Sequence, residues 1–326
     1  MPQTSFAAPN VRLEPGVVYA RRTTGDLVLD LYRPLSTGHA VPVVIWLHGG
    51  GWFAGDRTLA PDLVAHVLAT GHAVASIEYR LSGQALFPTQ LHDVRSAVRF
   101  LRQHADSYEI DAAAIGLWGA SAGGHLAALA GLTGHIDLLP AEEGPAGDVS
   151  VQAVAASYAP VDLARIVAAH QEANPHLDGA ATPEGRLLGA HPGDVPGIAR
   201  QANPLNWIGT APPPFQLSHG TGDVLVPHGQ SELLHEALLT AGGQSELYLL
   251  QDYKHGFLNP SGRLDVDMQS VMDDGRLATE VRAAARRKTT RSGPMEETTF
   301  GFLDIETFFR RCLNNKRELV KKGETL

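Results

Sequence analysis

The stretch Gly119-Ala120-Ser121-Ala122-Gly123-Gly124 has the form G-x-S-x-G, and it restricts the fold of this 326-residue chain more than any other. Before it, Ala114-Ile115-Gly116-Leu117-Trp118 is a short apolar run that reads as a buried strand. After it, His125 to Leu132 is rich in Ala and Leu and reads as a helix. Ser121 therefore belongs on a tight strand-to-helix turn, the setting that a nucleophile elbow requires. At such a turn, side chains on Gly119 and Gly123 would collide with neighbouring backbone. The turn lifts the Ser121 hydroxyl clear of the sheet and aims the first N–H groups of the helix at whatever Ser121 attacks.

The rest of the chain repeats the strand–helix alternation. Val43–Leu47 is continuously apolar, the mark of a strand covered on both faces, and it runs into His48-Gly49-Gly50-Gly51-Trp52. Residues 60–70 read as a helix, 73–77 as a strand, and Pro88 opens a helix to about Ala105 with Leu91, Val94, Val98 and Leu101 on one face. On that helix Asp93 and Arg95 read as structural ion-pair partners. Further strands are read at 151–158, 215–219 and 246–250, the last of the sheet, with a helix at 228–241. Ahead of all this, residues 1–15 read as a loose polar arm. Val17–Arg21 and Leu27–Tyr32 read as an antiparallel hairpin at a sheet edge. The expectation is an α/β fold in a single domain over 1–326, a mostly parallel sheet with helices on both faces.

Two segments break the pattern. Residues 160–211 are punctuated by Asn174-Pro175, Thr182-Pro183, His191-Pro192 and Val195-Pro196, and read as a cap insertion of short helices that shapes a pocket. In 260–301, Leu264, Met268, Val271 and Met272 are spaced like one helix face, and 276–288 reads as a continuing basic helix. This helical excursion is expected to be a solvated face, a lid or a dimer contact, and 302–309 restarts core-type sequence in a final helix.

Composition removes several function classes. The net charge of -9 argues against a nucleic-acid partner. The one cysteine, Cys312, cannot form an internal disulfide and is expected to pack in the last helix. No apolar run approaches the ~20 residues of a membrane span, and Met1-Pro2-Gln3-Thr4-Ser5 lacks a basic region followed by an apolar one. The cytoplasm is the expected location. No metal-ligand spacing and no dinucleotide-type glycine loop occurs, so no cofactor is expected.

A serine hydroxyl needs a base, and the base an orienting acid. Sheets of this type gather functional residues at the carboxyl ends of strands, and His48–Gly51, Ser121, Asp223 and His255 all fall there. Among 15 histidines most lie within helices or in loops away from strand ends. The reading assigns Ser121 as nucleophile, His255 as base and Asp223 as acid. Asp252, three residues from His255, is the rival acid. Backbone N–H groups of Gly50, Gly51 and Ala122 are the expected oxyanion hole, and Trp52 and His228 the candidate substrate contacts.

At these residues the chain resembles the α/β-hydrolase superfamily, in particular its hormone-sensitive-lipase-like branch and the bacterial feruloyl- and acetyl-esterase-like proteins. The resemblance rests on His48–Trp52 with Gly55-Asp56, Glu78-Tyr79-Arg80-Leu81, Gly119–Ala127, Gly220–Pro227 and His255-Gly256-Phe257, in that order. It spans about 17–258 and resumes near 302. The order Ser121, Asp223, His255 is also that family's order. The resemblance implies hydrolysis of a small acyl ester through an acyl-enzyme, with no cofactor. An arylformamidase-type amide hydrolase, an acyltransferase and a non-catalytic binding protein on the same scaffold are the competing readings, and a homodimer is the candidate assembly. The segment 260–301 is longer than this family usually carries.

Overall fold

The computed structural model describes residues 10–35, 38–264 and 268–321, with the side chains of 269 and 315–321 outside the description. Residues 1–9, where a loose arm was expected and a leader discounted, lie outside the described residues. The rest of that expected arm is strand: β1 spans Val11–Arg22 and pairs antiparallel with β2, Gly25–Pro34. Next come β3 (Val41–Leu47), α1 (Leu63–Thr70), β4 (Ala73–Ile77), α2 (Thr89–Gln103), β5 (Ile110–Ala120), α3 (Ala122–Leu132) and β6 (Ala153–Ser157). After β6 come α4 (Leu163–Ala173), α5 (Pro183–Leu188) and α6 (Pro196–Gln201), then β7 (Phe215–Gly220), α7 (Gly229–Thr240) and β8 (Ser245–Leu250).

The sheet order is β1-β2-β4-β3-β5-β6-β7-β8, continued by two strands after β8. From β4 to β8 the strands run parallel, and β2 joins β4 antiparallel. The alternation of side chains along each strand sorts the core into two layers. In β3, Val43, Ile45 and Leu47 enter one layer with apolar residues of α2, α3 and α7. Val44 and Trp46 enter the other with Leu63 and Val67 of α1. Both faces are thus covered, which is why the strand is apolar at every position rather than at every second one.

The segment after β8 departs from the expected long helix. Among the described residues of that segment, Gln269–Val271 is a 3-10 turn and only Arg276–Glu280 is α-helical, as the short α8. Ala283–Lys288 is strand β9, antiparallel to β8, and Glu296–Phe300 is strand β10, antiparallel to β9. β8 is therefore not the last strand. Ala283 and Ala285 are buried between more exposed neighbours, a period of two that the run of Ala and Arg conceals. Arg287 meets Glu246 at 2.6 Å from β8, so a good helix former is held in a strand by cross-strand charge and pairing. The final helix α9 (Phe302–Lys321) docks Ile305, Phe308, Phe309 and Leu313 into the layer that holds α1, and Cys312 is half-buried on it.

Buried polar side chains in the body of the fold are mostly paired. Asp93 is gripped by Arg80 at 2.7 and 2.8 Å, and Glu142 by Arg95 and Arg99 at 2.9 and 2.6 Å. Asp93 and Arg95 are structural, as the spacing suggested, and they clamp α2 to the strand end after β4 and to the loop after α3. These paired charges lower the Glu142 pKa to about 2 against the opposing effect of burial. Among the described residues no helix is long and apolar enough to cross a membrane.

Among the described residues, the buried histidines with a ring nitrogen lacking a hydrogen-bond partner include His66, His125 and His235. Burial depresses their pKa values to about 3, 4 and 4. A base whose folded pKa lies below its unfolded value near 6.5 contributes stability that is fully present above that value. It is lost as pH falls toward the folded pKa, because the unfolded chain takes up the protons first. The melting temperature is therefore expected to fall between pH 7 and pH 5. A His125→Gln variant should show a shallower fall in differential scanning calorimetry, and an unchanged slope would contradict this account.

Candidate active site

Ser121 leaves β5 with φ 52° and ψ -121°, a strained conformation for a residue with a side chain. The strain is held by close packing. A Cβ on Gly123 would overlap the carbonyl of Leu47 at the end of β3, and one on Gly119 would overlap the carbonyl of Gly123. The helix thus starts directly against two strands, and Ser121 N–H donates to the Ser157 carbonyl at 2.9 Å.

The Ser121 Oγ lies 2.8 Å from Nε2 of His255, and the His255 Nδ1 lies 2.7 Å from Oδ2 of Asp223. All three are buried. An ionised carboxylate can only accept, so Nδ1 carries the ring proton and Nε2 presents its lone pair to the serine. Asp223 follows β7 and is anchored through Oδ1 by the N–H groups of Leu225 and Val226 at 3.0 and 2.9 Å. Burial would raise its pKa. The neighbouring His255 charge and hydrogen bonds from His219 and His255 outweigh that and hold the group well below the usual carboxylate range. The rival Asp252 is exposed in the turn after β8, where its N–H donates to Thr221 Oγ1.

His219, four residues before Asp223 in β7, carries no signal in the sequence that sets it apart from the other histidines. Its Nε2 faces both the Val226 carbonyl at 2.8 Å and Asp223 Oδ2 at 3.2 Å, while Nδ1 meets Ser231 Oγ at 2.8 Å. Two acceptors before Nε2 fix the proton there, so the ring backs Asp223 at the same carboxylate oxygen that faces His255. The ring of Tyr158, which sits at φ 40°, packs edge-on to His255 with centroids 4.8 Å apart. The segment after β8 also reaches the base. Asp273 N–H donates to the His255 carbonyl and its carboxylate accepts from Lys254 N–H, both at 2.7 Å.

Gly50 and Gly51 turn with φ 103° and 57°, in the left-handed region, and the Gly50 carbonyl accepts from Phe53 and Ala54. The N–H groups of Gly50, Gly51 and Ala122 have no acceptor among the described residues. Tyr79 supports this loop, stacking on the His48 ring at 4.3 Å and donating to the His48 carbonyl at 2.9 Å. The Glu78–Leu81 stretch is thus a buttress, with Arg80 fixed by Asp93.

Ser121 and His255 open into a cavity of about 700 Å³. Its wall is drawn from four places: Gly51–Ala54, the insertion after β6 with His170, Leu177, Thr182, Pro183 and Glu184, Leu225 with Val226 after β7, and Leu264 with Met268. The insertion is tied down at both ends. Gln230 accepts from Val161 and Asp162 N–H, and His125 Nε2 meets the Ala202 carbonyl at 2.6 Å. Trp52 is in the wall, its ring edge-on to His125. His228 is not. It opens α7 half-exposed, 3.2 Å from Glu232, because its position at the helix start turns it to solvent. Among the described residues no three His, Cys, Asp or Glu side chains converge as a metal-binding group.

A match to the BD-FAE family covers residues 29–238, which include Gly50, Gly51, Ser121 and Asp223; His255 lies beyond it. The chain belongs to the BD-FAE family. Its fold is that of the α/β-hydrolases. It is 33% identical over 235 residues to esterase LipQ of Mycobacterium tuberculosis, covering 71% of this chain and 54% of LipQ. The chain spans about half the length of the mycobacterial relatives it matches. Among solved structures, a truncated carbohydrate esterase from gut microbiota superposes with a TM-score of 0.65 at 31% identity, covering 74% of this chain and 88% of that one. The propionate-bound thermophilic esterase Est2 of Thermogutta terrifontis gives 0.62 at 26% identity, covering 83% and 93%. The chain from β8 onward, with β9, β10 and α9, lies beyond the matched residues.

The elbow and the His219 contact can be tested by the rate at which Ser121 is labelled by a fluorophosphonate. Gly123→Ala should abolish labelling in whatever fraction stays folded. His219→Ala should slow it about tenfold, the worth of one hydrogen bond to a charged group. Labelling of both variants at the parent rate would show that neither contact matters to the serine.

Proposed function

We propose that the protein is a serine carboxylic-ester hydrolase acting on small acyl esters through an acyl-enzyme on Ser121. The observation that carries this is the continuous row from Asp223 through His255 to Ser121, ending in a cavity walled mainly by apolar side chains. In this reading Ser121 Oγ attacks the ester carbonyl carbon while its proton passes to His255 Nε2. The carbonyl oxygen becomes an oxyanion, and the N–H groups of Gly50, Gly51 and Ala122 are the donors placed for it. The tetrahedral species collapses, the C–O bond to the alcohol breaks, and His255 returns the proton to the leaving oxygen. Water, deprotonated by the same ring, then releases the acid and restores Ser121. Asp223 keeps the ring in the tautomer that this needs and offsets its charge when protonated.

Support also comes from the relatives, since LipQ and Est2 are both named as esterases. The presence of all three side chains at hydrogen-bond distance favours catalysis over the binding-protein reading. Leu264 and Met268 in the cavity wall, and Asp273 on the His255 carbonyl, favour a pocket-wall role for the segment after β8 over a dimer contact. The one cysteine supports a reducing compartment, and we place the activity in the cytoplasm.

The test is turnover of p-nitrophenyl esters from acetate to octanoate, beside N-formylaniline, by the parent and Ser121→Ala. The parent is expected to hydrolyse the short esters. The variant should lose about 10³-fold or more while keeping its circular dichroism spectrum. Undiminished turnover in Ser121→Ala would sink the proposal, and turnover of the formanilide alone would move the protein to the amide class.

A further inference from the structure

The cavity wall is apolar except at a few places, and one of them is unexplained by the chemistry of the serine. Glu184 lies on α5, is 5% exposed and borders the same cavity as Ser121 and His255. Its Oε2 is buried and has no hydrogen-bond partner among the described residues. An acid at the second position of a helix is ordinarily there to face the helix dipole and water. That accounts for an exposed glutamate and not for one nine-tenths buried. Leaving one oxygen of a buried carboxyl without a partner costs stability, so such a group is retained where something else completes it.

The surroundings hold the group where it is. Thr182 caps α5 by accepting from Gly185 N–H at 3.1 Å and donating to the Gly179 carbonyl at 2.8 Å. Pro183 packs toward Gly51, and Arg186 lies over the Phe53 ring at 4.7 Å, which seats α5 on the glycine loop. Glu184 is thus carried on an element locked to the loop whose N–H groups face the reacting carbonyl. Among the described residues no lysine or arginine lines the cavity to pair with it.

We propose that Glu184 is a specificity-determining residue of this pocket, hydrogen-bonding a hydroxyl group carried by the ester close to its scissile bond. The inference rests on the ester-hydrolase reading above and adds the substrate class and the residue that selects it. A hydroxyl can pair with the carboxyl in either protonation state, donating to the anion or accepting from the acid. A cationic substrate would need the anion, and burial raises the pKa of Glu184, disfavouring the charged form; its own N–H, Thr182 and the His170 and His255 charges only partly offset this. A hydroxylated ester is therefore the better partner. A site built to hydrogen-bond a substrate hydroxyl rejects the analogue lacking it, because the buried group is then left unpaired.

The experiment uses two matched pairs of esters. Dihydroxypropyl acetate is compared with propyl acetate for the alcohol side, and ethyl lactate with ethyl propionate for the acyl side, with acetylcholine as the cationic probe. Each is measured as kcat/KM with the parent, Glu184→Gln and Glu184→Leu. The parent should favour the hydroxylated member of at least one pair. Glu184→Leu should reduce that preference by about tenfold, with the unhydroxylated ester held within about twofold, and Glu184→Gln, whose amide still bonds a hydroxyl, should lie between. The proposal is overturned if Glu184→Leu lowers both members equally, if it changes neither, or if acetylcholine is the ester whose turnover it removes. In those three results the unhydroxylated esters still report Ser121-dependent hydrolysis, so the ester-hydrolase reading stands. Absence of turnover of every ester by the parent overturns both.

Discussion

The position of Ser121 depends on how closely two backbones can approach. The first turn of α3 lies against the end of β3, with Gly123 under the Leu47 carbonyl and Gly119 under Gly123 itself. Only because both positions lack a Cβ can β5 turn into the helix within one residue and leave Ser121 at φ 52° with its hydroxyl outward. Everything nearby assumes that turn. The Ala122 N–H is free for a ligand because it opens the helix, and the glycine loop after β3 is beside it because β3 and β5 are paired neighbours.

The acid and base come from the far side of the sheet and must be held to tenths of an ångström over separations of more than a hundred residues. The structure does this with carbonyls, amides and aromatic rings in preference to surface charge. Asp223 is fixed by two N–H groups and two histidines. His255 is fixed by Asp223, the edge of Tyr158 and the Asp273 N–H. A preorganised dipole needs no rearrangement when charge develops on the ring, which is what gives such arrangements their catalytic value. The cap adds a different function. Its short helices, tied through Gln230 and His125, bring polar groups such as Glu184 over an otherwise apolar cavity, where they can select among ligands without taking part in bond-making.

Much of this was legible in the chain. Continuous apolar runs identified the parallel strands, glycine at fixed offsets identified the turn, and Ser121, Asp223 and His255 stood at strand ends in the order in which the structure joins them. The failures have physical causes. The Ala/Arg run at 276–288 has strong helical propensity, yet Ala283–Lys288 is a strand because β8 offers an open edge and Glu246 a partner for Arg287. Propensity is a local quantity, and the ladder that overrides it is a contact with residues forty positions earlier. His228 was a candidate at the start of a helix, yet it is half-exposed beside Glu232, since one turn of helix decides which way a side chain points.

The sequence alone determined the α/β fold, the elbow and the three residues of the hydrogen-bonded row, because each rests on local sterics or on residue types that few other folds require. The tertiary structure decided the rest: that His219 backs Asp223, that the segment after β8 extends the sheet and braces His255, and that Glu184 is buried in the cavity wall. Those are facts of long-range packing and desolvation. Burial is set by what other segments cover, so no local pattern of residues reveals it.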